Sequence, residues 1–162
     1  MLQERKVKKL LLLLFMCSVM VSCSKDDDVK EIDTEYPEVD VSATEAFPKQ
    51  CSEFTRGTTV TTKILVSDNR ELGSVSLDIH HNFDHHTHST EVEECNLDPR
   101  KTPVKPFLLI KSIPIPEGNK TYTVTSEIDI PQDVDPGDYH FMIRVTDKEG
   151  WQTLKGLSIK IK

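Results

Sequence analysis

The sequence predicts an all-β fold, an antiparallel β-sandwich of about seven strands. Several short segments alternate apolar and polar residues with a period of two, and no segment has convincing helical periodicity. Turn-forming residues such as Asp68 and Asn69 separate these segments. The predicted strands are residues 38–41, 58–67, 74–80, 107–110, 122–130, 139–146 and 157–161.

One motif narrows the sandwich to an immunoglobulin-like one. Residues 135–141 read Asp-Pro-Gly-Asp-Tyr-His-Phe and match the pattern D-x-G-x-Y-x-C that opens strand F of immunoglobulin domains. We expect Tyr139 to turn inward and bond nearby backbone, forming a tyrosine corner. Phe141 stands where the cysteine would be, which excludes the usual disulfide between strands B and F.

The predicted domain therefore needs another role for its two cysteines, Cys51 and Cys95. A disulfide between them is favoured in an exported protein, because such bonds persist outside the cytoplasm. Two free thiols, or a thiolate that joins histidines on a metal, are the alternatives that the sequence leaves open.

The N-terminus has the features of an export signal, residues 1–22. A basic head precedes a mostly apolar run at residues 10–21, which is shorter than the roughly 20 residues that span a bilayer. Met20-Val21-Ser22-Cys23 resembles the lipobox of bacterial lipoproteins. The resemblance implies cleavage before Cys23 and acylation of that cysteine with palmitate-type chains. An ordinary secretory signal with a chance cysteine is the alternative.

Residues 23–35 are predicted to be the lipidated cysteine and a flexible acidic tether, followed by the domain at residues 36–162. The run Ser24-Lys25-Asp26-Asp27-Asp28 resembles the surface-export signal of Bacteroidetes-type lipoproteins. It implies an outer-membrane, lipid-anchored protein exposed at the cell surface, with the membrane as a partner through the anchor. A solvated acidic spacer is the alternative.

The charge of the chain excludes some partners. Removal of residues 1–22 leaves 16 basic and 26 acidic residues, a net charge of −10. Such an acidic chain is not expected to bind nucleic acid or an anionic membrane face through its charge.

Histidines are the candidate metal ligands. Five of the six lie within residues 80–88, and the sixth is His140. Strand parity places His80 at the end of strand C, and His140 in strand F, on the outer face of the sheet. Strands C and F are antiparallel neighbours in an immunoglobulin-like sandwich, so these two histidines are expected to meet there.

His86 and His88 share one face if the following segment is extended, and both could fold back toward that pair. Four imidazoles, or three with a water, suit zinc, copper or nickel. Asp84 could be a ligand or could accept the second ring N–H of a histidine. His81 and His85 have the wrong parity and rank lower.

Other interpretations of the histidines and of the acidic turns remain open. The histidines could form a solvated loop that binds metal incidentally, or a pH sensor, because imidazoles titrate near 6.5. Asp68, Asp147 and Glu149 resemble the acidic turns of calcium-binding cadherin-like domains, but a full ligand spacing is missing.

Together these motifs resemble a family of uncharacterised Bacteroidetes lipoproteins, classed as a domain of unknown function with an immunoglobulin-like or cadherin-like fold. The resemblance implies location and fold, and no activity. We predict a non-enzymatic binding module with a metal ion or surface ligand, candidate envelope-protein partners and no organic cofactor. The alternative is an adhesion or glycan-binding accessory protein.

An enzyme is not favoured. Three histidines with Asp84 or Glu91 could mimic a metallohydrolase, but the chain lacks a zincin motif, a nucleophile motif, a P-loop and a dinucleotide fingerprint.

Overall fold

The domain is a two-sheet β-sandwich, which confirms the predicted fold class. A computed structural model describes residues 32–91 and 93–162. The strands are β1 (Glu38–Asp40), β2 (Ser52–Phe54), β3 (Thr58–Ser67), β4 (Leu72–His81), β5 (Leu109–Pro114), β6 (Thr121–Ile130), β7 (Gly137–Asp147) and β8 (Gln152–Ile161). One sheet has the order β1-β3-β6 and the other has the order β2-β8-β7-β4-β5.

The folded unit begins earlier than the predicted boundary at residue 36. It comprises Ile32–Lys162, and Asp33, which had been assigned to the tether, is only 2% exposed. The indole N–H of Trp151 donates to the carbonyl oxygen of Asp33 at 2.8 Å. The predicted export signal, Cys23 and residues 24–31 lie outside the described residues.

Strand β2 was missed by the sequence analysis. It pairs with β8 in parallel, with Ser52 opposite Ile159 and Phe54 opposite Ile161, so one pair of the sandwich is not antiparallel. A strand of three residues is too short to show period-two alternation, which explains why no pattern predicted it.

The fifth strand lies further along the chain than predicted. Residues 107–110 were expected to be a strand ended by the following prolines, but β5 is Leu109–Pro114 and has Pro114 as its last residue. β5 is an edge strand that pairs only with β4 among the described strands. A proline without an N–H is tolerated at such an edge.

Alternating apolar residues of both sheets form one core. Its fully buried members include Leu77, Ile79, Phe141 and Ile143. Tyr139 is also buried, and its hydroxyl donates to the carbonyl of Asp135 at 2.6 Å and accepts from the backbone N–H of Phe107 at 3.1 Å. These bonds form the predicted tyrosine corner.

Among the described residues, the unit Ile32–Lys162 has a hydrophobic core of its own, as a domain that folds independently does. Within the described part of the chain, no helix is long and apolar enough to span a bilayer.

Candidate metal centre

The site starts from the pairing of β4 with β7. These strands are antiparallel, and their register places His80 directly opposite His140. Side chains alternate along each strand, so both imidazoles project from the face opposite the core residues Ile79 and Phe141. Two histidines 60 positions apart in the sequence are thereby neighbours on one face.

Two further histidines of the segment after β4 complete a group of four rings. The six centroid distances among His80, His86, His88 and His140 all lie between 4.9 Å and 5.6 Å. Four points with nearly equal spacings form a tetrahedron. A tetrahedral zinc ion with Zn–N bonds of about 2.0–2.1 Å would hold its ring centroids about 5.2 Å apart.

Hydrogen bonds set the tautomers of three of these rings. Nδ1 of His80 lies 2.7 Å from Asp78 Oδ1, Nδ1 of His86 lies 2.5 Å from Asp84 Oδ1, and Nε2 of His140 lies 3.0 Å from the carbonyl of His86. Ionised carboxylates and carbonyls only accept, so each of these nitrogens donates. The second nitrogen of each neutral ring keeps its lone pair, which is the form a metal binds.

The bond between His86 and Asp84 also acts on the carboxylate. The N–H of His86 is the largest cause that holds the pKa of Asp84 below its ordinary value. Of the two roles predicted for Asp84, this geometry favours the acceptor that orients His86.

The ligand atoms are less evenly placed than the rings. One nitrogen each from His80, His86 and His88 lies within 4.8 Å of the others, and His140 is outside that closer group. Its Nδ1 is nevertheless buried with no hydrogen-bond partner. The donor set therefore consists of three ring nitrogens that lie close together and a fourth ring with an unpaired nitrogen outside that group.

His140 is buried, although strand parity predicted only its place on the outer face of the sheet. The residue lies on the outer face of the sheet but is only 1% exposed, because the segment after β4 covers it. Burial lowers the pKa of His140 to about 4, opposed by the hydrogen bond to the carbonyl of His86 and reinforced by the charges of the three other rings. His140 is therefore neutral at neutral pH.

The segment that covers His140 comprises residues 82–91 and 93–95, after β4. This covering segment lies close against β8. The backbone N–H of Thr90 donates to the carbonyl of Gly156 at 2.9 Å, and the backbone N–H of Gly156 donates to Thr90 Oγ1 at 3.2 Å. A Cβ at position 156 would stand 1.9 Å from the carbonyl oxygen of His88. Only glycine allows this approach.

A disulfide and one glutamine hold the far end of the segment. Cys51 and Cys95 are joined, with their Cα atoms 5.4 Å apart, so neither thiolate is a metal ligand. Gln50 accepts from the N–H of Ser158 at 2.9 Å and donates to the carbonyl of Glu93 at 2.8 Å. The chain after the histidines is thus fastened to β8 and the residues before β2.

The two remaining histidines lie apart from the four rings. His81 packs against the ring of Phe83, 5.0 Å between centroids. His85 has a positive φ of 61°, and its Nε2 lies 2.9 Å from the carbonyl of Asp98. Glu91, considered as a base, forms an ion pair with Lys155 at 2.5 Å.

Asp78 was missed by the sequence analysis, although strand parity could have found it. The residue lies two positions before His80 on β4, so both side chains share a face. An acid two residues from a candidate ligand in a strand is well placed to accept the second ring N–H.

The chain belongs to the family described as Domain of unknown function (DUF4625), whose model matches residues 21–162. No curated protein matches the sequence. Among solved structures, the chain is similar to the GspB Siglec domain, with 18% identity and a TM-score of 0.42. That alignment covers 80% of this chain and 59% of the other.

Replacement of Gly156 with alanine should detach the covering segment and leave the core intact. The added Cβ meets the carbonyl of His88 at 1.9 Å, so the bond from Thr90 N–H to residue 156 is expected to break. Hydrogen exchange measured by NMR should then speed up at Thr90 by at least about tenfold and stay unchanged at Phe141. Gln152→Ala, an exposed change on the same strand, is the control, and an unchanged Thr90 rate would contradict the packing.

Metal-free protein should lose stability as the pH falls from 6.5. The pKa of His140 is about 4 in the folded state and 6.5 as an ordinary value, so the unfolded state binds more protons between these limits and stability rises with pH there. The loss is at most about 3 kcal/mol at pH 4. Chemical denaturation with chelator at pH 6.5 and pH 5 measures part of this loss while most carboxylates are still ionised. His140→Gln should flatten the dependence, and an equal slope in both proteins would count against the buried neutral ring.

Proposed function

We propose that this domain is a non-enzymatic binding module that holds one transition-metal ion through His80, His86, His88 and His140. The observation that carries the proposal is the set of six nearly equal ring spacings, 4.9–5.6 Å. Packed rings commonly lie 4.5–7 Å apart, but six nearly equal spacings place the four rings at the corners of a tetrahedron, the arrangement of ligands around four-coordinate zinc. Asp78 and Asp84 accept hydrogen bonds from His80 and His86, and such outer acceptors fix the rings of metal-binding histidines.

Zinc is the favoured ion among zinc, copper and nickel. Imidazole nitrogen suits all three, but copper(II) and nickel(II) prefer square-planar or tetragonal sets, whereas zinc takes four ligands in a tetrahedron. The burial of His140 supports a neutral ligand at that position, since a protonated imidazole cannot bind a metal.

A binding role is favoured over catalysis. Catalytic zinc sites keep one position for water, and structural or carrier sites fill all four with protein ligands. Four histidines would fill the shell, and the carboxylate of Glu91 is engaged by Lys155. The candidate base Glu91 is therefore not free to act beside the four rings.

His88 gives the ion a route to solvent. It is the exposed member of the cluster, and it borders a groove lined also by Asp78, Ile110, Met142 and Leu154. Ile110 and Leu154 are exposed apolar side chains. A partner that receives or delivers the ion could contact this groove, which supports metal capture or handover.

The adhesion alternative finds less support. Sugar binding by stacking needs exposed aromatic rings. Among the phenylalanine, tyrosine and tryptophan side chains of the described residues, only that of Tyr36 is mostly exposed. Its ring packs edge-on against that of Trp151, with 4.9 Å between the centroids.

An envelope location completes the proposal, with Cys23 as the lipid anchor of a lipoprotein displayed on the outer membrane. The lipobox-like sequence before Cys23 supports it. The family match begins at residue 21 and so includes Cys23. The disulfide between Cys51 and Cys95 also fits an oxidising compartment.

Elemental analysis of untagged residues 24–162 tests the metal site. After exposure to zinc, copper and nickel in turn and then dialysis, the wild type should retain about one zinc ion per chain and less of the other two. His140→Ala should retain none. Asp78→Asn, which alters only the outer acceptor, should weaken zinc binding about 10–100-fold in a competitive titration.

His85→Ala is the matched control, because His85 belongs to the same segment but lies outside the four rings. It should bind zinc as the wild type does. Equal metal in the wild type and His140→Ala would refute the site, and loss in His85→Ala alone would show incidental binding by the loop.

Lipid anchoring is tested separately through Cys23. Cells fed radiolabelled palmitate should label the wild-type chain and not Cys23→Ser, since three acyl chains on one cysteine hold a protein durably in the membrane. Protease accessibility on intact cells then reports surface display. Equal labelling of both chains would contradict lipidation at Cys23 and would leave the metal-site proposal unaffected.

A further inference from the structure

Three acidic side chains meet at the end of the β4–β7 ladder opposite to the histidines. Asp147 ends β7 and pairs with Leu72 at the start of β4, Asp68 follows β3, and Asp33 precedes β1. One carboxylate oxygen of each lies within 4.8 Å of the others. His80 lies eight positions after Leu72 along β4, about 26 Å of strand.

Each of these carboxylates has one oxygen that is already occupied. Asp33 Oδ1, Asp68 Oδ2 and Asp147 Oδ1 accept hydrogen bonds of 2.6–3.0 Å. The donors are the backbone N–H groups of Glu35, Arg70, Glu71, Gly150 and Trp151 and the side-chain amide of Asn69. These bonds fix the orientation of all three carboxylates.

The second oxygen of each carboxylate has no hydrogen-bond partner. Asp33 Oδ2, Asp68 Oδ1 and Asp147 Oδ2 are all buried and unpaired, and the residues Asp33 and Asp147 are only 2% and 4% exposed. A buried carboxylate oxygen without a donor is costly, and three negative charges this close repel one another. A cation bound between the three carboxylates would pair the buried oxygens and would also reduce the repulsion between the negative charges.

Among the described residues, the neighbouring basic side chains Lys148 and Arg70 make no hydrogen bond to these three oxygens. Lys148 makes ion pairs with Glu71 at 3.5 Å and Glu117 at 3.4 Å. Arg70 lowers the pKa of Asp33 through its charge, a smaller effect than that of the N–H of Glu35.

We propose that Asp33, Asp68 and Asp147 form a second metal site, for calcium. An all-oxygen set with three carboxylates suits a hard divalent cation, and calcium accepts irregular geometry that magnesium does not. Backbone carbonyls and water would complete its shell. The bound ion joins the chain before β1 to the turns after β3 and β7, and so fastens the first residues of the folded unit.

Trp151 can serve as a fluorescent probe of this calcium site. It is the only tryptophan of the chain. Its backbone N–H donates to Asp147 Oδ1 at 2.8 Å, and its indole N–H donates to the carbonyl of Asp33 at 2.8 Å. Calcium binding should therefore change the intrinsic fluorescence.

Calcium titration of metal-stripped residues 24–162, followed by tryptophan fluorescence and thermal unfolding, tests the proposal. We expect a saturable change with a Kd on the order of 0.1–1 mM, as in extracellular calcium modules, and a raised melting temperature. Magnesium should bind at least about tenfold more weakly. Asp147→Asn keeps the occupied Oδ1 and replaces the unpaired oxygen with an amide, and it should weaken calcium binding by at least about tenfold.

Asp40→Asn is the matched control. The carboxylate of Asp40 likewise accepts backbone N–H groups in a turn, those of Ser42 and Ala43, but it is exposed. The calcium response of Asp40→Asn should equal that of the wild type. His80→Ala should also respond as the wild type does, which would show that the calcium site does not depend on the histidine site.

If circular dichroism shows that Asp147→Asn does not fold, Asp33→Asn serves as the same test. No saturable response up to about 10 mM calcium, or an equal response in the wild type and the cluster variant, would overturn the proposal.

Discussion

The antiparallel pairing of β4 with β7 is the constraint on which both candidate sites depend. Its register brings His80 opposite His140 at one end and Leu72 opposite Asp147 at the other. Ile79 and Phe141 anchor that register, since a slip of one residue would turn their side chains out of the core. The hydrophobic effect thus fixes where the polar groups on the other face lie.

The covering segment then changes the chemistry of one end. An imidazole on an open sheet face would be solvated and would titrate near 6.5. Under the segment, His140 is buried and its pKa falls to about 4. The contact with Gly156 and the disulfide between Cys51 and Cys95 hold the segment in place. A neutral ring with an unpaired nitrogen is the result.

The side chains at both ends of the β4–β7 ladder share one arrangement: one polar atom is hydrogen-bonded and the other is not. At the histidine end, one nitrogen of a ring donates to an oxygen and the other keeps its lone pair, as in His80 with Asp78. At the acidic end, one oxygen of a carboxylate accepts N–H donors and the other is left unpaired, as in Asp147. In each case the hydrogen bond to one atom fixes the orientation of the side chain and leaves the other atom available for a metal.

The sequence by itself determined the all-β fold and the shared face of His80 and His140, because period-two alternation fixes which residues point the same way. It also determined the tyrosine corner, through the motif at residues 135–141. It could not show that His140 is buried, that Asp33 belongs to the folded unit, or that three aspartates converge. Those facts depend on contacts between residues far apart in the chain, such as His86 with His140 and Asp33 with Trp151. A local pattern carries no information about such contacts, so only the tertiary structure decided them.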